Sequence, residues 1–218
     1  MLCPDPTDLN PCGTVFELVN SSGSYTEKVL YNFVGPPNDG DEPLSGLVMD
    51  AAGNLYGTTG YGGLTICGAT SCGIVFELVK SPNGYTERVL HQFAGTDGAF
   101  PLAGLAMDSS GNLYGTANGG GAYGYGAVFE LVNASGTYTE TVLYSFGGDA
   151  TDGTYPVGGL QMDSAGNLYG TTSLDRGPYA CGLASCGTVF ELVKLPMVIP
   201  NACCTNSLAP MEQIRKRG

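Results

Sequence analysis

The sequence predicts an all-β fold, a β-propeller of four-stranded antiparallel blades, and three observations lead there. One set of phrases recurs about three and a half times along the 218 residues. Each phrase is a short run rich in β-branched and aromatic residues, closed by Gly, Asn, Asp or Pro, which is the pattern of a strand between turns. The composition agrees: 35 Gly, 13 Pro, 13 Tyr and only 13% charged residues suit short strands joined by many turns.

The innermost strand of each blade is Gly-Leu-x-Met-Asp, at 46–50, 104–108 and 159–163. The second is Gly-Asn-Leu-Tyr-Gly-Thr, at 53–58, 111–116 and 166–171, joined to the first by a tight turn that forces antiparallel pairing. Gly-x-Val-Phe-Glu-Leu-Val supplies the third at 13–19, 73–79, 126–132 and 187–193, spaced by 60, 53 and 61 residues. Tyr-Thr-Glu-x-Val-Leu is the outermost, at 25–30, 85–90 and 138–143. Four antiparallel strands in each such unit match a propeller blade better than a helical solenoid or an immunoglobulin-like sandwich.

The repeats therefore occupy 1–194, as a partial blade at 13–34 and blades at 44–93, 102–146 and 157–194. The last blade lacks a Tyr-Thr-Glu strand, and an unfinished ring leaves apolar faces and strand edges open. The expected remedy is a partner chain, a homodimer in which the N-terminal strand pair completes the last blade of its partner by strand exchange. Alternatively the chain belongs to a longer propeller and Met197-Val198-Ile199 improvises an outer strand. Residues 195–218 form a non-repeat tail, expected to be disordered, that ends in Arg215-Lys216-Arg217.

A net charge of −12 repels phosphate backbones and anionic membranes, so nucleic acid is not an expected partner. No run approaches 18 apolar residues, so no membrane span is expected. The first residues show no basic segment followed by an apolar one, so the chain is either mature or trimmed, or cytosolic.

The eight cysteines favour the first of these. Cys12, Cys72 and Cys186 each precede the Gly of Gly-x-Val-Phe-Glu-Leu, and Cys3, Cys67 and Cys181 lie just upstream of them. We expect the disulfides Cys67–Cys72, Cys181–Cys186 and Cys3–Cys12, hence an oxidising compartment. A structural zinc site at these cysteines is disfavoured by their spacing. Cys203 and Cys204 lie outside the repeats.

The unit Gly-Leu-x-Met-Asp-x-x-Gly-Asn-Leu-Tyr-Gly-Thr, followed by Gly-x-Val-Phe-Glu-Leu and Tyr-Thr-Glu-x-Val-Leu-Tyr-x-Phe, resembles the bacterial GloVer tandem repeats over roughly 13–193. More distantly it is similar to NHL-type propeller blades. The resemblance implies an exported protein, extracellular or at the cell surface, and carries no catalytic residues with it.

Residues present in every copy build the blade, whereas a functional residue should break the symmetry. By that filter Glu17, Glu77, Glu130 and Glu191 are expected in cross-strand hydrogen bonds or at the rim, and Asp50, Asp108 and Asp163 in turns. The loops entering each innermost strand carry Asp39, Asp41, Asp97 and Asp152, expected near one mouth of an axial channel. Asp39, Asp97 and Asp152 are solvated turn residues or, alternatively, calcium ligands; no other cofactor is expected. His91 replaces the tyrosine of the other copies (Tyr31, Tyr144) on an outer strand, where a surface position is expected. Asp175, Arg176 and Tyr179 lie in a lengthened loop suited to stacking on a sugar. Together these residues are the candidate ligand-binding set. Two functions follow: an extracellular scaffold or binding module presenting loops to a glycan or surface protein, or a secreted carbohydrate-active hydrolase or lyase using acidic residues near the axis.

Overall fold

The computed structural model describes residues 12–64, 66–67, 70–149, 152–175, 186–194 and 214–217. All of its paired strands are antiparallel, and no helix occurs among the described residues. Sheet 1 pairs Thr14–Ser21 with Ser24–Asn32. Sheet 2 runs Val48–Met49, Leu55–Thr59, Ile74–Ser81, Gly84–Gln92. Sheet 3 runs Ala106–Met107, Leu113–Ala117, Ala127–Ala134, Thr137–Ser145. Sheet 4 runs Gln161–Met162, Leu168–Thr172, Thr188–Lys194, Ile214–Arg217.

The first hairpin of each four-stranded sheet is fixed by its aspartate. Asp50 accepts hydrogen bonds from the amides of Ala52 and Asn54, and Asp108 and Asp163 do the same one and two repeats later. These side chains close the turn on its own backbone, as expected of Asp before Gly-Asn. The innermost strand pairs over only two residues in each copy, shorter than its five-residue phrase.

Consecutive sheets stack face on face, and strand alternation decides which residue meets which neighbour. Ile74, Phe76 and Leu78 face sheet 1 and pack with Val15 and Phe33. Val75 and Tyr56 point the other way, into a cluster with Phe129, Leu131 and Leu113 of sheet 3. Val128 and Tyr114 repeat this against Phe190, Leu192 and Leu168 of sheet 4. An aromatic step crosses each junction edge to face: Phe33 to Phe76, Phe93 to Phe129 and Phe146 to Phe190, with centroids 5.0–5.1 Å apart.

The backbone stitches the repeats as well. Glu42, Phe100 and Tyr155, all at left-handed φ of 56–58°, donate their amides to Cys12, Cys72 and Tyr125 of the preceding repeat. Their carbonyls accept from Gly60, Asn118 and Ser173. A side chain tolerates that conformation only under tertiary constraint, so these three positions mark where one repeat locks the next.

Two expectations change. Ile214–Arg217, assigned from sequence to a disordered tail, pairs with Thr188–Lys194 as the outer strand of sheet 4. The edge reserved for a partner's strands is thus occupied by the chain's own end, and Met197-Val198-Ile199 lies outside the described residues. The loop between the second and third strands of sheet 2 is pinned as expected by the Cys67–Cys72 disulfide, Cα atoms 5.2 Å apart. Cys12 and Cys186 are also disulfide-bonded; their expected partners, Cys3 and Cys181, lie outside the described residues, as do Cys203 and Cys204.

Candidate functional site

The recurring carboxylates tie together the strands within each repeat. Tyr56 and Glu77 are cross-strand partners, and the phenol donates to Glu77 Oε1 at 2.9 Å while lying 3.1 Å from Asp50 Oδ2. Tyr114 does the same with Glu130 and Asp108, and Tyr169 with Glu191 and Asp163. Burial and the hydrogen bond to Glu77 push the Tyr56 phenol far above its ordinary pKa, so it acts as a fixed donor. In sheet 2 Arg88 adds an ion pair to the buried Glu77, and in sheet 1 Lys28 makes the equivalent pair with the exposed Glu17. The cross-strand and turn roles expected of these Glu and Asp residues are therefore what the structure displays.

Each loop aspartate closes a second network. Asp39 accepts from the amides of Val34 and Gly40 and from the hydroxyl of Tyr31. Asp152 accepts from the amides of Gly147 and Gly148 and from Tyr144 at 2.9 Å. Asp97 accepts from Ala94 and sits 2.9 Å from His91 Nε2. Asp39 and Asp152 are buried rather than solvated, 4% and 2% exposed. The three do not meet: each is consumed in its own repeat, and among the described residues they form no shared cation cluster. Asp41 is buried too, in a short ladder against Tyr61, and burial raises its pKa, helped by Glu42. Asp175 pairs through its backbone with Gly153, while Arg176 and Tyr179 lie outside the described residues.

His91 is not a surface residue, because a β-bulge re-aims it. The register slips between Val89 and His91, leaving Leu90 unpaired, so that His91 stands opposite Val75 on the face toward sheet 3. There it meets Glu140 of the neighbouring outer strand; His91, Asp97 and Glu140 offer ligand atoms that all lie within 4.8 Å of one another. The His91 and Asp97 side chains are each only 18% exposed. Burial lowers the His91 pKa, against the opposing pull of Asp97. Burial first, then Asp97, raises Glu140 to about 7. The sequence pointed to His91 and Asp97 but not to Glu140, whose Tyr-Thr-Glu phrase recurs unchanged in other copies. The matching junction one repeat earlier holds Tyr31, Asp39 and Glu87, with Glu87 raised to about 7 by burial and Asp39.

A groove of about 560 Å³ opens between sheets 3 and 4, with Asp108, Tyr114, Asp163, Ser164 and Lys194 among its lining. Its position follows from the repeat. Tyr85 and Tyr138 donate to the carbonyls of Gly53 and Gly111 in their own sheets, and Tyr138 lies 6.4 Å from Tyr56 of sheet 2. Sheet 4 carries no Tyr-Thr-Glu strand to bring a phenol to Gly166 and Tyr114.

No helix among the described residues is long and apolar enough to cross a membrane. No curated protein is significantly similar to the chain. The sequence model of the Gloeobacter/Verrucomicrobia repeat, however, matches residues 7–195, which cover every strand of the four stacked sheets except Ile214–Arg217, and the chain belongs to that repeat family.

Proposed function

We propose that the chain is an extracellular repeat scaffold whose sheets stand as propeller blades and whose two end faces stack against a second copy of itself. One observation carries this: the same phrase is fully buried inside the stack and open at its ends. Phe76, Leu78, Phe129 and Leu131 are 0% exposed, yet Phe16 and Leu18 of sheet 1 are 51% and 55% exposed. At the other end Val189 is 73% exposed where Val75 and Val128 are 0%. Every interior junction mates a Phe/Leu face with a Val/Tyr/Glu face, so each end presents the surface that the opposite end is shaped to take.

A radial arrangement is supported by the innermost segments, whose glycines touch in series: a Cβ on Gly104 would lie 3.2 Å from Gly46 O, and one on Gly159 3.3 Å from Gly104 O. Extracellular placement is supported by the Cys67–Cys72 bond and the bacterial repeat family. The groove between sheets 3 and 4, whose rim includes Ser109 and Ser164 beside the internally bonded Tyr114, Asp108 and Asp163, is the surface offered to a hydroxyl-rich partner such as a cell-surface glycan. The carboxylates that a hydrolase or lyase would draw upon are already bonded within their repeats, which favours the scaffold.

Sedimentation velocity over a concentration series tests the stacking. The wild type is expected to self-associate, and Phe16→Asp and Val189→Asp are each expected to sediment as monomers. An equimolar mixture of the two variants retains one intact Phe16–Val189 junction and should recover a heterodimer. A wild type that stays monomeric at high concentration, or a mixture that fails to recover association, overturns the proposal.

A further inference from the structure

We propose that His91, Asp97 and Glu140 form a binding site for one divalent transition-metal cation of the Zn²⁺ class, placed as a clip between sheets 2 and 3. The donor set is mixed, one imidazole and two carboxylates, which suits Zn²⁺ and its first-row neighbours better than the all-oxygen shell that Ca²⁺ prefers. The geometry is close to what such an ion needs. His91 Nε2 and Asp97 Oδ2 are 2.9 Å apart, and two donors each about 2.1 Å from one tetrahedral ion are separated by about 3.4 Å, so the pair opens by about 0.5 Å to admit it. Glu140 brings the third donor within 4.8 Å of both.

Glu140 Oε1 is buried and has no hydrogen-bond partner. A buried acceptor left unmatched is costly, and a cation at this point would satisfy it. The other two side chains are held in place by their surroundings, as ligands of a built site are. The His91 ring stands edge-on to Phe93 with centroids 4.7 Å apart, and Asp97 Oδ1 accepts from the Ala94 amide at 2.8 Å.

The repeat supplies its own control. At the preceding junction Tyr31, Asp39 and Glu87 stand in the same places, and Glu87 Oε1 is likewise buried and unmatched. There the strand offers a phenol, which donates to Asp39 and is a poor ligand while protonated. Only the change from tyrosine to histidine separates the two junctions in ligand chemistry. The two surviving carboxylates and the imidazole leave at least one coordination position for water or an external donor group.

Isothermal titration of the chelator-stripped, tag-free, disulfide-intact chain with Zn²⁺ tests the site. One ion per chain is expected for the wild type. His91→Tyr installs the residue that the fold already accepts at Tyr31 and Tyr144, and should weaken binding by more than about 100-fold, beyond the 10–100-fold typical of losing a merely supporting group. Glu140→Gln should weaken it by at least about tenfold. Tyr31→His should raise the stoichiometry to two. Circular dichroism melts of the metal-free variants confirm that each is folded. A wild type that takes up no Zn²⁺ at micromolar concentration overturns the proposal, as does a folded His91→Tyr chain that binds with wild-type affinity.

Discussion

Phe129 and Phe16 occupy the same position of the repeat, and replacing each by alanine should separate what the phrase encodes from what stacking adds. Phe129 is fully buried, lies edge-on to Phe93 at 5.0 Å, and covers Gly115 so closely that a Cβ there would fall 2.4 Å from its ring. Removing a buried aromatic of about 150–250 Å² forfeits about 4–6 kcal/mol at about 25 cal/mol per Å². The lost edge-to-face contact adds about 1 kcal/mol, and partial collapse of the cavity returns some of it. The net expectation for Phe129→Ala is about 3–5 kcal/mol. Phe16, half exposed, should cost under about 1.5 kcal/mol in dilute, monomeric protein. Urea unfolding followed by far-ultraviolet dichroism and tyrosine fluorescence, the chain having no Trp, measures both. Equal losses for the two variants in monomeric protein would refute the assignment of sheet 1 as an open end face.

Three other outcomes are expected. Gly126→Ala should destabilise by at least about 1–3 kcal/mol, since φ is +104° and the new Cβ would lie 2.5 Å from Pro156 Cδ and 2.8 Å from two carbonyl oxygens; a change below measurement error in the urea midpoint would contradict the tight junction. Glu87, raised to about 7 in the fold and near about 4.3 when unfolded, stays protonated longer in the native state. Its contribution is therefore complete below the unfolded pKa and lost as pH rises through 7, so the wild-type urea midpoint should fall between pH 5 and pH 8 while Glu87→Gln shows a flatter profile. Replacing Cys67 and Cys72 together by serine opens a loop with a sequence separation of 5 and should cost about 2 kcal/mol by loop-closure entropy, read as a lower thermal midpoint that reductant shifts less than it shifts the wild type's.

Much of the fold was legible because each strand phrase carries its own partner. Leu-Tyr-Gly-Thr and Val-Phe-Glu-Leu pair so that tyrosine meets glutamate and glycine lies under phenylalanine, and that complementarity is written in the residues of every copy. The same repetition explains why these glutamates were expected in cross-strand bonds or at the rim; Glu77, Glu130 and Glu191 take the first role, and Glu17 is exposed. What could not be foreseen depended on backbone irregularity or distant segments. His91 was expected at the surface because it is a lone histidine on an outer strand; the bulge at Leu90 instead sets it opposite Val75, on the face toward sheet 3, and nothing in the local residue types announces it. The outer strand Ile214–Arg217 was missed because it shares no phrase with the strands it replaces. Asp39 and Asp152 were expected in solvent, since Asp-Gly usually marks an exposed turn. Here the loop folds back eight residues to a tyrosine, and burial follows from that tertiary contact.

The distribution of irregularities bears on where this molecule makes its contacts. A repeat that satisfies its polar groups internally leaves little unspent chemistry, and the interior tyrosine–glutamate pairs have none to offer. Departures from the pattern are where groups become available: histidine for tyrosine at the second junction, no Tyr-Thr-Glu phenol beside Tyr114 and Gly166, and sheet faces that meet no neighbour at either end among the described residues. Each departure exposes something its regular counterpart consumes, a ligand set, a polar groove and an apolar face respectively. Restoring the pattern at one of them should therefore abolish one property and leave the others intact. His91→Tyr ought to remove metal uptake without altering sedimentation, and Phe16→Asp ought to do the reverse. A variant that moved both readouts together would show that the junctions are coupled through the stack, and that function cannot be assigned repeat by repeat.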